Sequence, residues 1–202
     1  MILEQTMLHL QKVISLCDRC PRLRSVTPIP LDHICFSTNP TIMTIGRNPG
    51  LEYEYSHIVP EKLSEFYHEK WLISRYGKYL LNIFGIDFVK EHIFACNICK
   101  CSSPNNSALE QEEIDNCLDF LYAQIAIVDP KVILVFGSDA SKALNLNVTY
   151  LKPFKFRNVT TLVCRHPAYF LRSHSETSDI HKEEQLKSLK SVKQFILEKG
   201  AK

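Results

Sequence analysis

The chain of 202 residues lacks any apolar run near the roughly 18–20 residues that a membrane-spanning helix needs. It also lacks the basic-then-apolar layout of a secretory signal, because Glu4 interrupts an already broken apolar pattern. We therefore expect no membrane association and a cytoplasmic location. There the eight cysteines would be reduced thiols rather than a disulfide scaffold. No internal repeat or low-complexity tract divides the chain, so we expect one domain over residues 1–202.

Charge of one sign is missing from two segments. Residues 101–130 contain no lysine or arginine, and residues 150–175 contain no acid. The second segment instead carries a basic series: Lys152, Lys155, Arg157, Arg165 and Arg172. On a chain with a net charge of only +2, this stripe favours a local phosphate contact, although a solvated basic loop would have the same composition.

Four short apolar and β-branched runs predict buried strands, at residues 41–45, 92–97, 131–136 and 159–164. Helical periodicity is found at residues 2–16, 61–84 (two pieces broken near Gly77), 110–128, 138–144 and 183–198. Strands separated by helices predict a three-layer α/β/α sandwich around a central four-stranded, mostly parallel sheet. Ligands bind beyond the carboxyl ends of such strands, here residues 46–50, 97–101 and 165–172.

These three strand ends carry polar groups suited to the handling of a nucleobase. Residues 46–50 form a rigid Gly-Arg-Asn-Pro-Gly turn in which Asn48 can orient a water, although many such turns only connect elements. Asn97 matches the pairing edge of a uracil-type base, or else it caps a strand. His166 can hydrogen-bond an oxygen that gains negative charge, and the following Tyr-Phe-Leu-Arg can wedge into a duplex and hold a phosphate. A core-packed turn with a capping histidine is the alternative.

Four cysteines have a spacing that suits a metal centre. Cys17 and Cys20 form a C-x-x-C pair, and Cys101 and Cys117 follow far downstream, 16 residues apart. Folding could place the four thiolates around one centre, and thiolates are the ligands of both iron–sulfur clusters and structural zinc.

The motifs occur in an order that resembles the uracil-DNA glycosylase superfamily, most closely its iron–sulfur family 4 branch. The matching segments are C-D-R-C-P-R-L, G-R-N-P-G, C-N-I-C-K-C, E-E-I-D-N-C-L-D-F-L, D-P-K-V-I-L-V-F-G-S-D-A-S-K-A-L and R-H-P-A-Y-F-L-R. The resemblance implies an enzyme that hydrolyses the N-glycosidic bond of uracil, or of a related deaminated base, in DNA. We expect it to act as a monomer.

The resemblance also implies roles for individual residues. It implies a [4Fe–4S] cluster on Cys17, Cys20, Cys101 and Cys117, with zinc as the alternative metal and Cys99 as a competing ligand. Asn48 and His166 would be catalytic, the first orienting a water and the second donating to the base. Gly46, Arg47, Gly50 and Asn97 would bind the substrate. Trp71, in the stretch that replaces the family's stacking block, is our first candidate for the aromatic that stacks on the flipped base. Arg165, Tyr169, Leu171 and Arg172 would contact DNA.

The chain departs from the family 4 pattern at two places that bear on chemistry. Arg47 and Asn48 stand where a glutamate and an alanine are usual, and the usual Pro-Phe-Val-Gly block is missing. Because an amide cannot take a proton, we expect slower turnover than with a carboxylate. Gly50 adds no bulk, so a 5-methyl group could be tolerated. The alternative functions are a catalytically weak or inactive DNA-binding module and the removal of deaminated purines.

Overall fold

The computed structural model describes residues 2–27, 33–35, 37–50, 69, 71–147, 149–172 and 175–200. Six strands form one sheet: β1 His33–Cys35, β2 Ile42–Gly46, β3 Ile93–Asn97, β4 Val132–Phe136, β5 Phe154–Phe156 and β6 Val159–Cys164. Their spatial order is β1-β3-β2-β4-β6-β5. The four inner strands are parallel to one another, whereas β1 and β5 pair antiparallel at the two edges.

The four predicted strands are therefore confirmed, but the prediction of a four-stranded sheet is wrong. His33–Cys35 and Phe154–Phe156 add one edge strand each. Each has three residues, which is too short for an alternating pattern to stand out in the sequence. These strands are defined by their pairing with a neighbour that the fold supplies.

The described helices are α1 Ile2–Ser15, α2 Pro21–Arg24, α3 Arg75–Phe84, α4 Ile86–His92, α5 Gln111–Val128, α6 Ser138–Ala143, α7 Pro167–Arg172 and α8 Glu176–Gly200. Three of them, α2, α4 and α7, were not predicted, and α8 begins seven residues before the predicted start. A 3₁₀ turn covers Pro104–Asn106. None of the described helices is both long and apolar enough to cross a membrane.

The predicted break of the 61–84 helix near Gly77 lies at Ser74, between helical residues 71–73 and 75–84, and the part of that prediction at residues 61–68 and 70 lies outside the described residues. The helix begins after Ser74, whose hydroxyl accepts from the Gly77 N–H as an N-cap. Gly77 lies inside the first turn of this helix. A Cβ at this position would overlap the Trp71 carbonyl oxygen, so a side chain does not fit here. The glycine allows close packing of the chain; it does not interrupt the helix.

Helices cover both faces of the sheet, which confirms the three-layer α/β/α architecture. Alternate strand residues point to opposite faces, so Met43 and Ile45 join one apolar cluster while Ile42 joins the other. The first cluster is covered by α1, α5 and α6, and the second by α3, α4 and α8. The strand ends are thus held between two packed layers, which fixes the loops that follow them.

Candidate active site

The carboxyl ends of the four parallel strands meet at one edge of the sheet and place the predicted site residues there. Gly46 ends β2 directly opposite Asn97, which ends β3. The two following loops are joined by backbone hydrogen bonds, from Ile98 N to Gly46 O at 2.9 Å and from Cys99 N to Arg47 O at 3.0 Å. At the next pair of strands, Gly137 N donates to Cys164 O at 2.8 Å, just before His166.

Asn97 depends on the absence of a side chain at Gly46. A Cβ built on Gly46 would lie 2.5 Å from Asn97 Oδ1, closer than real Cβ atoms approach a neighbour. The half-buried Asn97 carboxamide therefore occupies the space that any other residue at position 46 would fill. This close approach explains why residue 46, the first of the Gly-Arg-Asn-Pro-Gly turn, is a glycine.

His166 is held as a neutral imidazole with a defined tautomer. The Ala168 N–H donates to His166 Nδ1 at 3.2 Å, so the ring proton of the neutral form is on Nε2 and is free to be donated. Although His166 is exposed overall, the protein around its ring withholds some water, and this desolvation lowers its pKa. The positive charges of Arg172 and Arg47 lower that pKa further, while Asp139 acts in the opposite direction.

The ring beside His166 belongs to Tyr76. The two rings are nearly parallel, with centroids 6.1 Å apart and planes at 9°. The Tyr76 hydroxyl and the Thr44 hydroxyl are buried without a hydrogen-bond partner among the described residues. Burial raises the pKa of Tyr76 well above its usual value, so this side chain remains neutral.

Arg47 and Asn48 form the third part of the site. Arg47 Nε donates to Asn48 Oδ1 at 2.8 Å, and Arg47 Nη1 pairs with Asp139 Oδ2 at 3.1 Å. Asn48 Nδ2 donates to Ser103 Oγ at 3.4 Å. The strand-end loops after β2, β3 and β4 are therefore linked through side chains as well as through the backbone.

Asn97 and His166 follow strands that are separated by β2 and β4 in the sheet. Three inter-strand steps correspond to roughly 14 Å between the backbones. The structure thus brings the two predicted base-contacting residues to the same edge, on either side of Gly46 and Gly137.

The four predicted cysteine ligands lie around one small pocket. Cys17, Cys20, Cys101 and Cys117 line it together with Arg24, Lys100 and Phe120. The C-x-x-C loop is docked onto α5 by Arg19, which donates to Asn116 O at 3.0 Å, and by Asn116, which donates to Cys20 Sγ at 3.6 Å. Arg22 binds Glu113 through two nitrogens, at 2.8 and 2.5 Å, and so fixes the start of α5.

Charges and hydrogen bonds around this pocket suit thiolate ligands in part. Burial raises the pKa of Cys101 to about 12, whereas hydrogen bonding from Cys99 lowers the pKa of Cys117 to about 6. Cys99 does not line the pocket; its thiol is also 3.4 Å from Glu113 O.

The buried Lys100 ammonium donates to Asn97 O at 2.5 Å and to Gln124 Oε1 at 2.7 Å. It therefore joins the cysteine pocket to the Asn97 loop.

The family model of the uracil DNA glycosylase superfamily matches residues 34–190 of this chain. The chain belongs to this superfamily. A type-4 uracil-DNA glycosylase of Thermotoga maritima is 24% identical over 205 residues, which cover 98% of each chain. Type-4 enzymes of Pyrobaculum aerophilum and Sulfurisphaera tokodaii are 40% and 37% identical over 52 and 60 residues, or 26% and 30% of this chain and 26% of each relative. The predicted resemblance is confirmed.

Trp71, which was predicted to stack on the base, does not lie at the strand-end site. Trp71 is only 7% exposed and packs in the apolar cluster beneath α3 and α8, so it does not cover the strand-end site. Tyr76 meets it edge-on, with centroids 6.1 Å apart, and stands on the site side. Trp71 was a candidate because it lies in the stretch that replaces the family's stacking block. In the structure its ring packs in the apolar core instead.

The four predicted DNA contacts of the glycosylase fold differ in their availability. The Arg165 guanidinium lies over the rings of Tyr150 and Tyr169, at 4.4 and 5.6 Å from their centroids. The Tyr169 hydroxyl is 3.1 Å from His181 Nδ1. Leu171, by contrast, is 57% exposed. Arg172 is also exposed, with its Nε donating to Ala168 O at 3.2 Å.

Sequence reasoning missed three residues that hold the site. Asp139 anchors Arg47, Ser103 receives Asn48, and the fully buried Gln185 pairs with both backbone groups of Arg165. Asp139 could have been found, because it is in the first turn after β4 and the same strand-end rule applies to it. Ser103 and Gln185 carry no local pattern, and only tertiary packing brings them to the site.

Proposed function

We propose that this protein is a single-domain, monomeric uracil-DNA glycosylase that hydrolyses the N-glycosidic bond of uracil, or of a related deaminated base, in DNA. The observation that carries the proposal is the meeting of Asn97 and a neutral His166 at one sheet edge. The full-length similarity to a type-4 uracil-DNA glycosylase supports the same reaction.

Cleavage of an N-glycosidic bond leaves positive character on the sugar and negative charge on the departing base. The target nucleotide is extruded from the duplex into the site. Asn97 pairs with the base edge, because its carboxamide can donate to a carbonyl and accept from an N–H. His166 then donates its Nε2 proton in a hydrogen bond to the base oxygen on which charge develops.

Asn48 orients the attacking water through its carboxamide. A strong nucleophile is not needed, since the sugar cation is itself reactive towards water. The amide cannot take the proton, so turnover is slower than with a carboxylate at this position. A Cβ added at Gly50 would have no described atom within 4 Å, and this open space supports tolerance of a 5-methyl group.

The DNA-facing surface is α7, where Leu171 is the wedge and Arg172 the phosphate contact. Leu171 is the most exposed apolar side chain of this helix, and apolar wedges commonly fill the gap left by an extruded base. Arg165 and Tyr169 support this helix through their mutual contact, and Arg165 contributes further positive charge.

The cofactor in this proposal is a [4Fe–4S] cluster on Cys17, Cys20, Cys101 and Cys117. No three His, Cys, Asp or Glu side chains in the described part of the chain form a group that could hold a single metal ion. Four thiolates suit both a tetrahedral zinc and a [4Fe–4S] cluster, and the resemblance of the cysteine motifs to the iron–sulfur branch favours the cluster, with zinc as the alternative. When bound, the cluster supplies cross-linking between α5 and the N-terminal segment.

The proposal is tested by a panel of damaged bases in single- and double-stranded oligonucleotides, with protein purified without oxygen. We expect release of free uracil and an alkali-labile abasic site. A DNA-binding module without chemistry would bind these strands and leave no abasic site. Release of hypoxanthine without uracil would instead assign the removal of deaminated purines.

A further inference from the structure

Arg47 is held by three of the loops at the strand ends and is only 26% exposed through its side chain. It donates from Nε to Asn48 Oδ1 at 2.8 Å and from Nη1 to Asp139 Oδ2 at 3.1 Å. Its Nη2 lies 3.5 Å from Asn106 O. A guanidinium with contacts in three directions has a fixed plane, so the direction of the Nε–H is fixed as well.

These contacts determine which way the Asn48 amide faces. Arg47 can only donate, so the atom that faces it must be the oxygen of Asn48. On the other side, Ser103 Oγ gives its single proton to Ser107 O at 2.7 Å. Ser103 can therefore only accept from Asn48, and the atom that faces it must be the NH2 group. Both ends of the carboxamide select the same orientation.

We infer that Arg47 is a positioning residue that fixes the Asn48 carboxamide, with Asp139 as the anchor of its guanidinium and Ser103 as the second contact. The inference rests on the proposed function, in which Asn48 orients the attacking water. An amide oxygen accepts two hydrogen bonds, and Arg47 uses one of them. The second is directed away from Arg47, and a water that donates to it has its own lone pair turned towards the sugar.

An engineered carboxylate at position 48 reports the contact directly. In Asn48→Asp, the adjacent Arg47 should hold the pKa of the new carboxyl about 1–3 units below its ordinary value. In the double variant Arg47→Met/Asn48→Asp, this depression should disappear. Among the described residues, the other charged groups that these interactions of the site bring together are Asp139, His166 and Arg172, and they are the same in both proteins.

The measurement is a carboxyl ¹³C NMR titration of both proteins with labelled aspartate, which needs no enzymatic activity. A difference of at least about one unit between the two pKa values supports the inference. Equal pKa values would overturn it. The titration does not depend on catalysis. A wild-type protein that releases no base would therefore contradict the proposed function, and the titration would still test the contact between Arg47 and residue 48.

The role in positioning is tested by single-turnover base release with Arg47→Lys and Arg47→Met. Lysine keeps the positive charge but cannot place an Nε–H donor at the same point, so both variants should lose rate by roughly fivefold to tenfold. Binding of uracil-containing DNA and the midpoint of thermal unfolding report whether each variant is folded. A folded Arg47→Lys with the wild-type rate would show that charge alone matters and would overturn the inference.

Discussion

Gly46 is the residue at which one added carbon would disturb the site most directly. The space beside its Cα is filled by the Asn97 carboxamide, and the strand register places the two residues opposite each other. His166 is constrained differently, by a backbone N–H that selects its tautomer. At the residue scale, the site therefore depends on one missing side chain and one hydrogen bond.

Gly46→Ala should lower the single-turnover rate on uracil by on the order of 10²-fold. The new methyl group would sit 2.5 Å from Asn97 Oδ1 and must displace it, and misplacement of a binding group by about 1 Å can cost that much. The thermal unfolding midpoint should change little, because the Asn97 side chain can rotate away. A wild-type rate in this variant would contradict the close contact.

His166 should titrate below the ordinary histidine value of about 6.5, and the rate should decline only below that pH. Protonation places a proton on Nδ1, which then faces the Ala168 N–H. Because the unfolded chain binds this proton more readily, stability should also decline as the pH falls through this range. The check is an NMR titration of wild type and Arg172→Ala, whose lost charge should raise the pKa. A wild-type value at or above 6.5 would contradict this electrostatic account.

At the element scale, the loop between β6 and α7 is positioned from α8. Gln185 Oε1 accepts from Arg165 N at 2.7 Å, and its Nε2 donates to Arg165 O at 2.9 Å and to Tyr79 Oη at 2.8 Å. Gln185 is fully buried. Since His166 follows Arg165 directly, α8 sets the position of the imidazole that we propose to be catalytic.

Gln185→Ala should destabilise the protein by about 1–3 kcal/mol, because it leaves two buried backbone groups unpaired. It should also lower the single-turnover rate at temperatures well below the unfolding midpoint. Gln194→Ala is the matched control on the same helix, since its side chain is exposed and donates to Glu198 Oε1 of that helix at 2.8 Å. A Gln185→Ala protein with the stability and rate of this control would contradict the positioning role.

The central elements of the fold could be predicted from sequence, and the edges could not. Val132–Phe136 is apolar throughout, so its burial on both faces is visible in the sequence. Phe154–Phe156 has only three residues and becomes a strand by pairing with Val159–Cys164. Asn97 and His166 could be proposed from strand ends, whereas Trp71 was misplaced because the sequence does not show which face of its helical turn is buried.

At the scale of the whole molecule, the cysteine pocket connects parts of the chain that are far apart in sequence. Cys17 and Cys20 come from the segment after α1, Cys101 from the loop after β3, and Cys117 from α5. Lys100 lies in the wall of this pocket and also binds the backbone of Asn97. The N-terminal segment, α5 and the Asn97 loop thus meet at this pocket.

Replacement of any one of Cys17, Cys20, Cys101 and Cys117 by serine should reduce the iron content and the visible absorbance of protein purified without oxygen. The unfolding midpoint should fall as well, because the cross-link between the N-terminal segment and α5 is weakened. Cys35→Ser is the matched control, since Cys35 does not line the pocket and its thiol donates to Ser37 O at 3.2 Å. Full iron content in a ligand variant would remove that cysteine from the set, and stoichiometric zinc in the wild type would replace the cluster.

The most direct measurement of the central claim is single-turnover release of uracil by wild type, Asn97→Ala and His166→Ala, each at saturating enzyme. In the proposed mechanism both residues contact one extruded base, and loss of such a hydrogen-bond donor typically costs on the order of 10²–10³-fold in rate. We predict losses of this size in both variants, with DNA affinity largely retained. A wild-type rate in either variant would contradict the assignment of that residue to the base.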